Sequence, residues 1–145
     1  MNLAQIKAEI QPKAIRCLFL ACSGVRVKND ELRSIGVTLP GFVERGRTIA
    51  SLPSLGLLTI ASFCPKNWEL EYRETDDSNP FDANAYIGFD VVAISSLSAQ
   101  INQAYQISDF IRSLGIVTVM GGLHVSALPD EAQDHTDVVV VGEGE

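Results

Sequence analysis

Two adjacent glycines, Gly121 and Gly122, follow the β-branched run at Val117 to Met120, and His124 and Ser126 come directly after them. A second polar segment, Ser95, Leu97 and Ser98, follows the apolar run that starts at Asp90, and Gly142 with Glu143 follows the run ending at Val141. Glycines in such places keep Cβ atoms out of a ligand's path and permit φ > 0, while serine hydroxyls can hydrogen-bond a ligand's polar edge. Backbone amides near helix starts favour anions. This is the chemistry of holding a small molecule. A plain tight turn after a strand would also use a Gly-Gly pair, and what separates the two readings is the convergence of the segments on one rim. Glu143 and Glu145 invite a general-base reading, because paired carboxylates shift each other's pKa. Glutamates after a terminal strand are more often solvated or in contact with a following domain, so no catalytic residue is assigned.

The elements that must position these residues follow from hydrophobic periodicity. Residues 1–14 read as a tail, and Ile15 to Ala21 is a nearly continuous apolar run, the first buried strand. From Cys22 to Ser51 periodicity is weak, and Arg26, Lys28, Arg33, Arg45 and Arg47 give the segment a basic balance. A loop of this length is usually functional or solvated; beside a ligand edge its charge could meet a phosphate. Leu52 to Phe63 reads as a helix with Ser51 as N-cap, Pro65 at its end, and Leu52, Leu55, Thr59 and Ser62 on one side. Gly56 within it costs up to about 1 kcal/mol against Ala and points to a close approach.

Trp68 to Glu74 alternates as an edge strand does, and Asp82 to Tyr86 suggests one short helix. Asp90 to Ser96 is a central strand covered on both faces. Ala99 to Leu114 carries Ile101, Ala104, Tyr105, Phe110, Ile111 and Leu114 at helical spacing, with Gly115 at the C′ position. Ile116 to Met120 is the next strand, Pro129 opens a short helix with acids in its first turn, and Asp137 to Val141 is the last strand. Strands alternating with helices give an α/β fold, a doubly wound, flavodoxin-like (Rossmann-like) five-stranded parallel sheet in the order 2-1-3-4-5. Right-handed crossovers then bring every strand's carboxyl end to one rim.

Composition narrows the function classes. With 145 residues, 46% hydrophobic and 20% charged, the chain has the size and balance of one globular domain. A net charge of −7 argues against a nucleic-acid partner, which requires clustered Lys and Arg. The three cysteines, Cys17, Cys22 and Cys64, form no CxxC pair and no even framework. A reducing, cytoplasmic setting follows, and neither an iron–sulfur nor a zinc site can be completed. No stretch approaches the roughly 20 apolar residues of a membrane span. The run before Cys22 contains Arg16 and is short for a signal segment. The chain stops directly after a buried-type strand, which suggests the front module of a longer polypeptide.

Several motifs in order then carry a resemblance. Ser95-x-Leu97 followed by Gly121-Gly122 looks like the SxL and GG elements of cobalamin-binding domains of the methionine synthase and mutase type. More closely, LPSLGLL at 52–58, ISSLS at 94–98, GGLHVS at 121–126, LPDE at 128–131 and VGEGE at 141–145 resemble the N-terminal cobalamin-binding domain of cobalamin-dependent radical SAM enzymes. The likeness covers roughly residues 50 to 145, with a weaker match at the first strand.

The resemblance implies that residues 15–145 form a domain binding cobalamin, with the nucleotide tail pushed into a slot. Ser95, Leu97 and Ser98 would line one wall, Gly121 and Gly122 would let the benzimidazole end pass, and His124, Ser126, Gly142 and Glu143 would complete the cofactor-binding set. It also implies a downstream radical SAM domain in the same polypeptide, holding a [4Fe–4S] cluster and S-adenosylmethionine, with methyl transfer as one outcome. Where the methionine synthase type places Asp-x-His-x-x-Gly, this chain reads Cys22-Ser-Gly-Val-Arg-Val27, so the family's lower histidine ligand to cobalt is missing and no metal ligand is assigned. Two alternatives remain at this stage: a degenerate cobalamin-domain fold that binds no cofactor and serves as a docking module, and a flavodoxin-like FMN-binding module.

Overall fold

The longest uninterrupted apolar run becomes an interior strand of a sheet. The computed structural model describes residues 14–22, 54–75 and 79–142. In it β1 (Arg16–Cys22) has every residue after the first buried. It pairs in parallel with β2 (Glu69–Glu74) on one side and β3 (Val91–Ser96) on the other, so both of its edges are satisfied. β4 (Val117–Gly121) and β5 (Val138–Val139) extend the sheet beyond β3, giving the order β2-β1-β3-β4-β5 with parallel pairing throughout. This is the doubly wound α/β sheet expected from the alternation of elements.

Because side chains alternate across a strand, β1 divides its residues between two cores. Leu18, Leu20 and Cys22 join Val92, Ile94 and Met120 beneath α2 (Ile101–Ser113). Cys17, Phe19 and Ala21 pack against α1 (Leu55–Phe63) through Leu57, Ile60 and Ala61. Two further short helices, α3 (Leu123–Ala127) and α4 (Pro129–His135), lie between β4 and β5, and their Val125 and Ala132 belong to the α2 core. The winding reverses at β1, and right-handed crossovers therefore place α1 on one face and α2 and α4 on the other.

Four expectations are corrected. The stripe of α1 turned to the core is Leu57, Ile60 and Ala61, continued by Cys64 at the C-cap, whereas Leu55 is 75% exposed and Thr59 and Ser62 are exposed off that stripe. The helix is apolar nearly all round, so its sequence does not single out a face, and the sheet selects one. Helix α3 was not anticipated: Gly122 sits at its N-cap, and a run read as rim loop forms one helical turn. The helix expected over Ala99 to Leu114 begins with a 3-10 turn at Ser98–Gln100, and Leu114 is its C-cap with Gly115 at φ 78°. The last strand is shorter than expected, because it is an edge with one neighbour and turns away at Gly142 (φ 83°); the Val140 N–H still donates to Met120 O at 2.8 Å. The expected tail and the basic segment fall largely outside the described residues, while the N-cap of α1 is Ser54 rather than Ser51, because the backbone is still extended at Ser54 and turns helical only at Leu55.

The amino end of the sheet is held by two aspartates in equivalent places, each preceding a Val-Val pair. Asp90 accepts the Arg16 N–H at 2.9 Å, and Asp137 accepts the Thr118 N–H at 2.8 Å. Arg112 on α2 donates to the other Asp137 oxygen at 3.1 Å. Behind them, Ser108, Thr118 and Thr136 link their hydroxyls in a buried chain at 3.0 and 3.1 Å. Every member of that chain finds a partner, as buried polar groups must.

The Thr118 N–H and the Arg112 guanidinium hold the Asp137 carboxyl below its ordinary 3.8, against the opposing effect of burial. A carboxylate whose folded pKa is depressed contributes stability that is complete above the unfolded value and is lost as pH falls through the folded one. Asp137→Asn is therefore expected to lower the Tm at neutral pH, with the difference from the parent closing as pH drops below about 4. Thermal unfolding followed by circular dichroism between neutral pH and about pH 3 checks this; a gap that stays constant across that range would contradict it.

Candidate functional site

The register between β3 and β4 sets Ser95 directly beside Gly121. Both lie at the carboxyl ends of their strands, where an open α/β sheet offers its binding crevice. They point to the α1 side of the sheet, since Ile94, Ser96 and Met120 are buried on the other side. A cavity of about 300 Å³ opens there between helix and sheet. Gly56, Leu57, Thr59 and Ile60 of α1 form one wall, Ala93, Ile94 and Ser95 of β3 with Val119 and Gly121 of β4 form the floor, and Gly122, Val140 and Gly142 close the rim.

The glycines of this groove differ in their reasons. Gly122 has φ 110°, and a Cβ there would stand 3.2 Å from Ser95 Oγ and 3.6 Å from Ser96 O. Conformation and space both demand glycine. At Gly121 a Cβ would rest 3.4 Å from Val140 Cβ, an ordinary contact, so the missing side chain serves the open floor rather than the packing. Gly142 is held by Ser126, whose Oγ accepts the Gly142 N–H at 2.8 Å. That bond ties the turn after β5 to α3 and fixes the spacing of the rim.

Among the described residues that line the groove, none carries a charged side chain. Its polar handles are the Ser95 and Thr59 hydroxyls and backbone groups at Gly122 and Gly142. Such a lining favours a flat, neutral group held by van der Waals contact with few hydrogen bonds.

The sequence-derived residues divide accordingly. Ser95, Gly121, Gly122 and Gly142 come together in the groove, and Ser126 supports them from the rim. Leu97 is exposed and Ser98 opens the 3-10 turn; neither lines the cavity. His124 also lies apart: its Nε2 is buried 3.5 Å from Glu131 Oε1, and its ring stands edge-on to Tyr105 with centroids 6.5 Å apart. Burial, together with the Glu131 carboxylate, pushes the Tyr105 phenol up to about 12, so it stays neutral in that cluster. His135 stacks on the same Tyr105 at 4.4 Å and bonds Asp109 at 2.8 Å. Glu143 lies outside the described residues.

The sequence reading missed the α1 wall of Leu57, Thr59 and Ile60 and the floor residues Ala93 and Val119. Strand alternation was the available signal for the floor: Ala93 and Val119 each stand two residues before a recognised position. Cys22 ends β1 but points into the α2 core, where burial raises its thiol to about 12. It is a packed thiol and not a ligand at the groove. Among the described residues there is no group of three or more His, Cys, Asp or Glu placed to hold a metal ion.

Residues 49–145 match the family described as B12 binding domain. The chain is 36% identical over 92 residues to bacteriochlorophyllide d C-8(2)-methyltransferase of Chlorobaculum tepidum, a match covering 63% of this chain and 20% of that protein. It is 35% identical over 95 residues to the C-12(1)-methyltransferase of the same organism, covering 64% and 20%. An uncharacterized methyltransferase of Synechocystis is 30% identical over 95 residues, covering 65% and 18%. The chain thus spans about a fifth of the length of the curated relatives it matches.

The two central glycines are expected to separate in a stability measurement. Gly122→Ala should destabilise by about 1–3 kcal/mol, from left-handed backbone strain with crowding of Ser95. Gly121→Ala should stay within about 0.5 kcal/mol of the parent. Urea unfolding of both variants reads the difference, and equal costs would show that the space around Gly122 is not as tight as its geometry states.

Proposed function

This chain belongs to the B12-binding domain family, and from that membership we propose that it is the cobalamin-binding module of a radical SAM enzyme whose reaction is methyl transfer. On this reading residues 15–145 are the binding domain, residues 1–14 a tail, and the catalytic domain with its [4Fe–4S] cluster and S-adenosylmethionine lies elsewhere in a longer, cytoplasmic polypeptide. The relatives named as methyltransferases, each about five times longer than the matched segment, support it. Among the described residues no helix is long and apolar enough to cross a membrane.

The single observation that carries the binding role is the groove itself, with Ser95 beside Gly121 and Gly122 on an uncharged floor. The fit to a nucleotide tail is chemical: a flat aromatic base slides against glycine backbone that any Cβ would block. Leu57 and Ile60 supply an apolar wall that excludes water, and the Ser95 hydroxyl offers one hydrogen bond to orient the guest. Ser126 keeps Gly142 in place at the mouth through the amide bond already described. Cobalamin, when bound, supplies a cobalt centre able to carry and release a methyl group. Neither histidine lines the groove, because both are engaged around Tyr105 on the α2 side. No imidazole from the described residues is therefore assigned beneath the cobalt.

Hydroxocobalamin titrated into the full chain is expected to give a saturable change in the ultraviolet–visible spectrum and to stay with the protein through desalting. No spectral change and no retention at micromolar protein would overturn the binding role. A degenerate docking module is the alternative that the absent lower histidine favours. It would give that negative result, and Gly122→Leu would then leave the activity of the whole enzyme unchanged.

A further inference from the structure

Gly56 stands on the helical wall of the groove, one turn ahead of Thr59 and Ile60, which line the same cavity. Glycine weakens a helix because ordering its backbone costs more entropy than ordering alanine. The other rim glycines have a local cause: Gly122 and Gly142 adopt positive φ, and Gly122 also abuts Ser95. Gly56 has neither cause. Its backbone is helical, and among the described residues a Cβ added there would meet nothing within 4 Å. Its helical neighbours Leu55, Leu57 and Leu58 are all large. Nothing described within the protein uses the space that this missing side chain leaves, and the space opens on the cavity.

The groove therefore has bare backbone on two sides, at Gly56 on the helix and at Gly121 and Gly122 on the sheet. We propose that Gly56 is a specificity-determining position of the groove: its bare backbone sets the slot to the thickness of a planar heterocycle, admitting the nucleotide base of cobalamin between α1 and the sheet. A flat ring in van der Waals contact on both sides leaves no room for a methyl group. The assignment rests on the cobalamin reading and adds to it the helical contact, which none of the glycines on the sheet provides.

The test compares the full chain with Gly56→Ala and Gly56→Leu, both good helix formers. It uses two probes: hydroxocobalamin, and dicyanocobinamide, which keeps the corrin and lacks the nucleotide. Without ligand, both variants are expected to unfold at the parent's Tm or about 2 °C higher, since glycine is removed where nothing is displaced. The hydroxocobalamin dissociation constant is expected to rise about threefold for Gly56→Ala and about tenfold or more for Gly56→Leu, the scale of overfilling a packed site. Cobinamide affinity should be the same for all three proteins. Hydroxocobalamin binding by Gly56→Leu within about twofold of the parent would overturn the proposal, as would an equal loss of cobinamide, which would place the corrin at this wall. A ligand-free Tm lowered by more than about 4 °C would overturn it too, by showing that the chain itself fills the space. Failure of the unsubstituted chain to bind hydroxocobalamin would bring down the cobalamin reading and this proposal together, whereas the preceding outcomes strike the proposal alone.

Discussion

The parallel ladder between β3 and β4 is the constraint on which the rest depends. It pairs Ser95 with Gly121 and Val91 with Val117, and the hydrophobic pattern locks it. Val92, Ile94, Thr118 and Met120 are all buried on one side, so a slip of β4 by one residue would drive Thr118 and Met120 out of the α2 core. The same slip would carry Gly121 to the wrong face and away from Ser95. The groove is thus specified by side chains packed on the opposite face of the sheet.

The two ends of the sheet are built for different tasks. At the amino end, Asp90 and Asp137 each accept a backbone N–H from a neighbouring strand, and the buried hydroxyls of Ser108, Thr118 and Thr136 satisfy one another. These bonds replace the ladder where it would otherwise fray. At the carboxyl end the chain turns on glycines, and among the described residues the Gly142 N–H donates to Ser126 Oγ across the rim.

The faces differ as well. On the α2 side, Ile107, Ile111, Val125 and Ala132 close over the sheet and leave no solvent path to β3 or β4. On the α1 side, the described helix reaches mainly β1, and the surface beyond it, over β3 to β5, holds the cavity. Ala93, Ser95 and Gly121 are small there, so the floor is low under α1. Cys17 and Cys22 illustrate the division: adjacent alternation sends them to opposite cores, and burial raises both thiols, to about 11 and about 12. Neither is poised for reaction at ordinary pH, because the thiolate is the reactive form.

Much of this was legible in the linear chain. Period-two and continuous apolar runs marked the strands, Gly115 and Pro129 marked helix boundaries, and the order of elements determined a parallel doubly wound sheet, since such alternation can bury its faces in few other ways. The serine at 95 and the glycines at 121 and 122 stood out in the sequence as polar and side-chain-free residues at strand ends, and the register brings them together in the groove. Only the tertiary structure decided which stripe of α1 is buried, because a helix apolar on most sides becomes one-sided only when a sheet packs against it. It alone turned His124 away from the groove, since helix α3 follows from the Gly122 turn and carries that ring toward Tyr105. The helical wall containing Gly56 was likewise beyond periodicity: a cavity is the space between elements distant in sequence, and local pattern records each element's propensity but not the gap left when they meet.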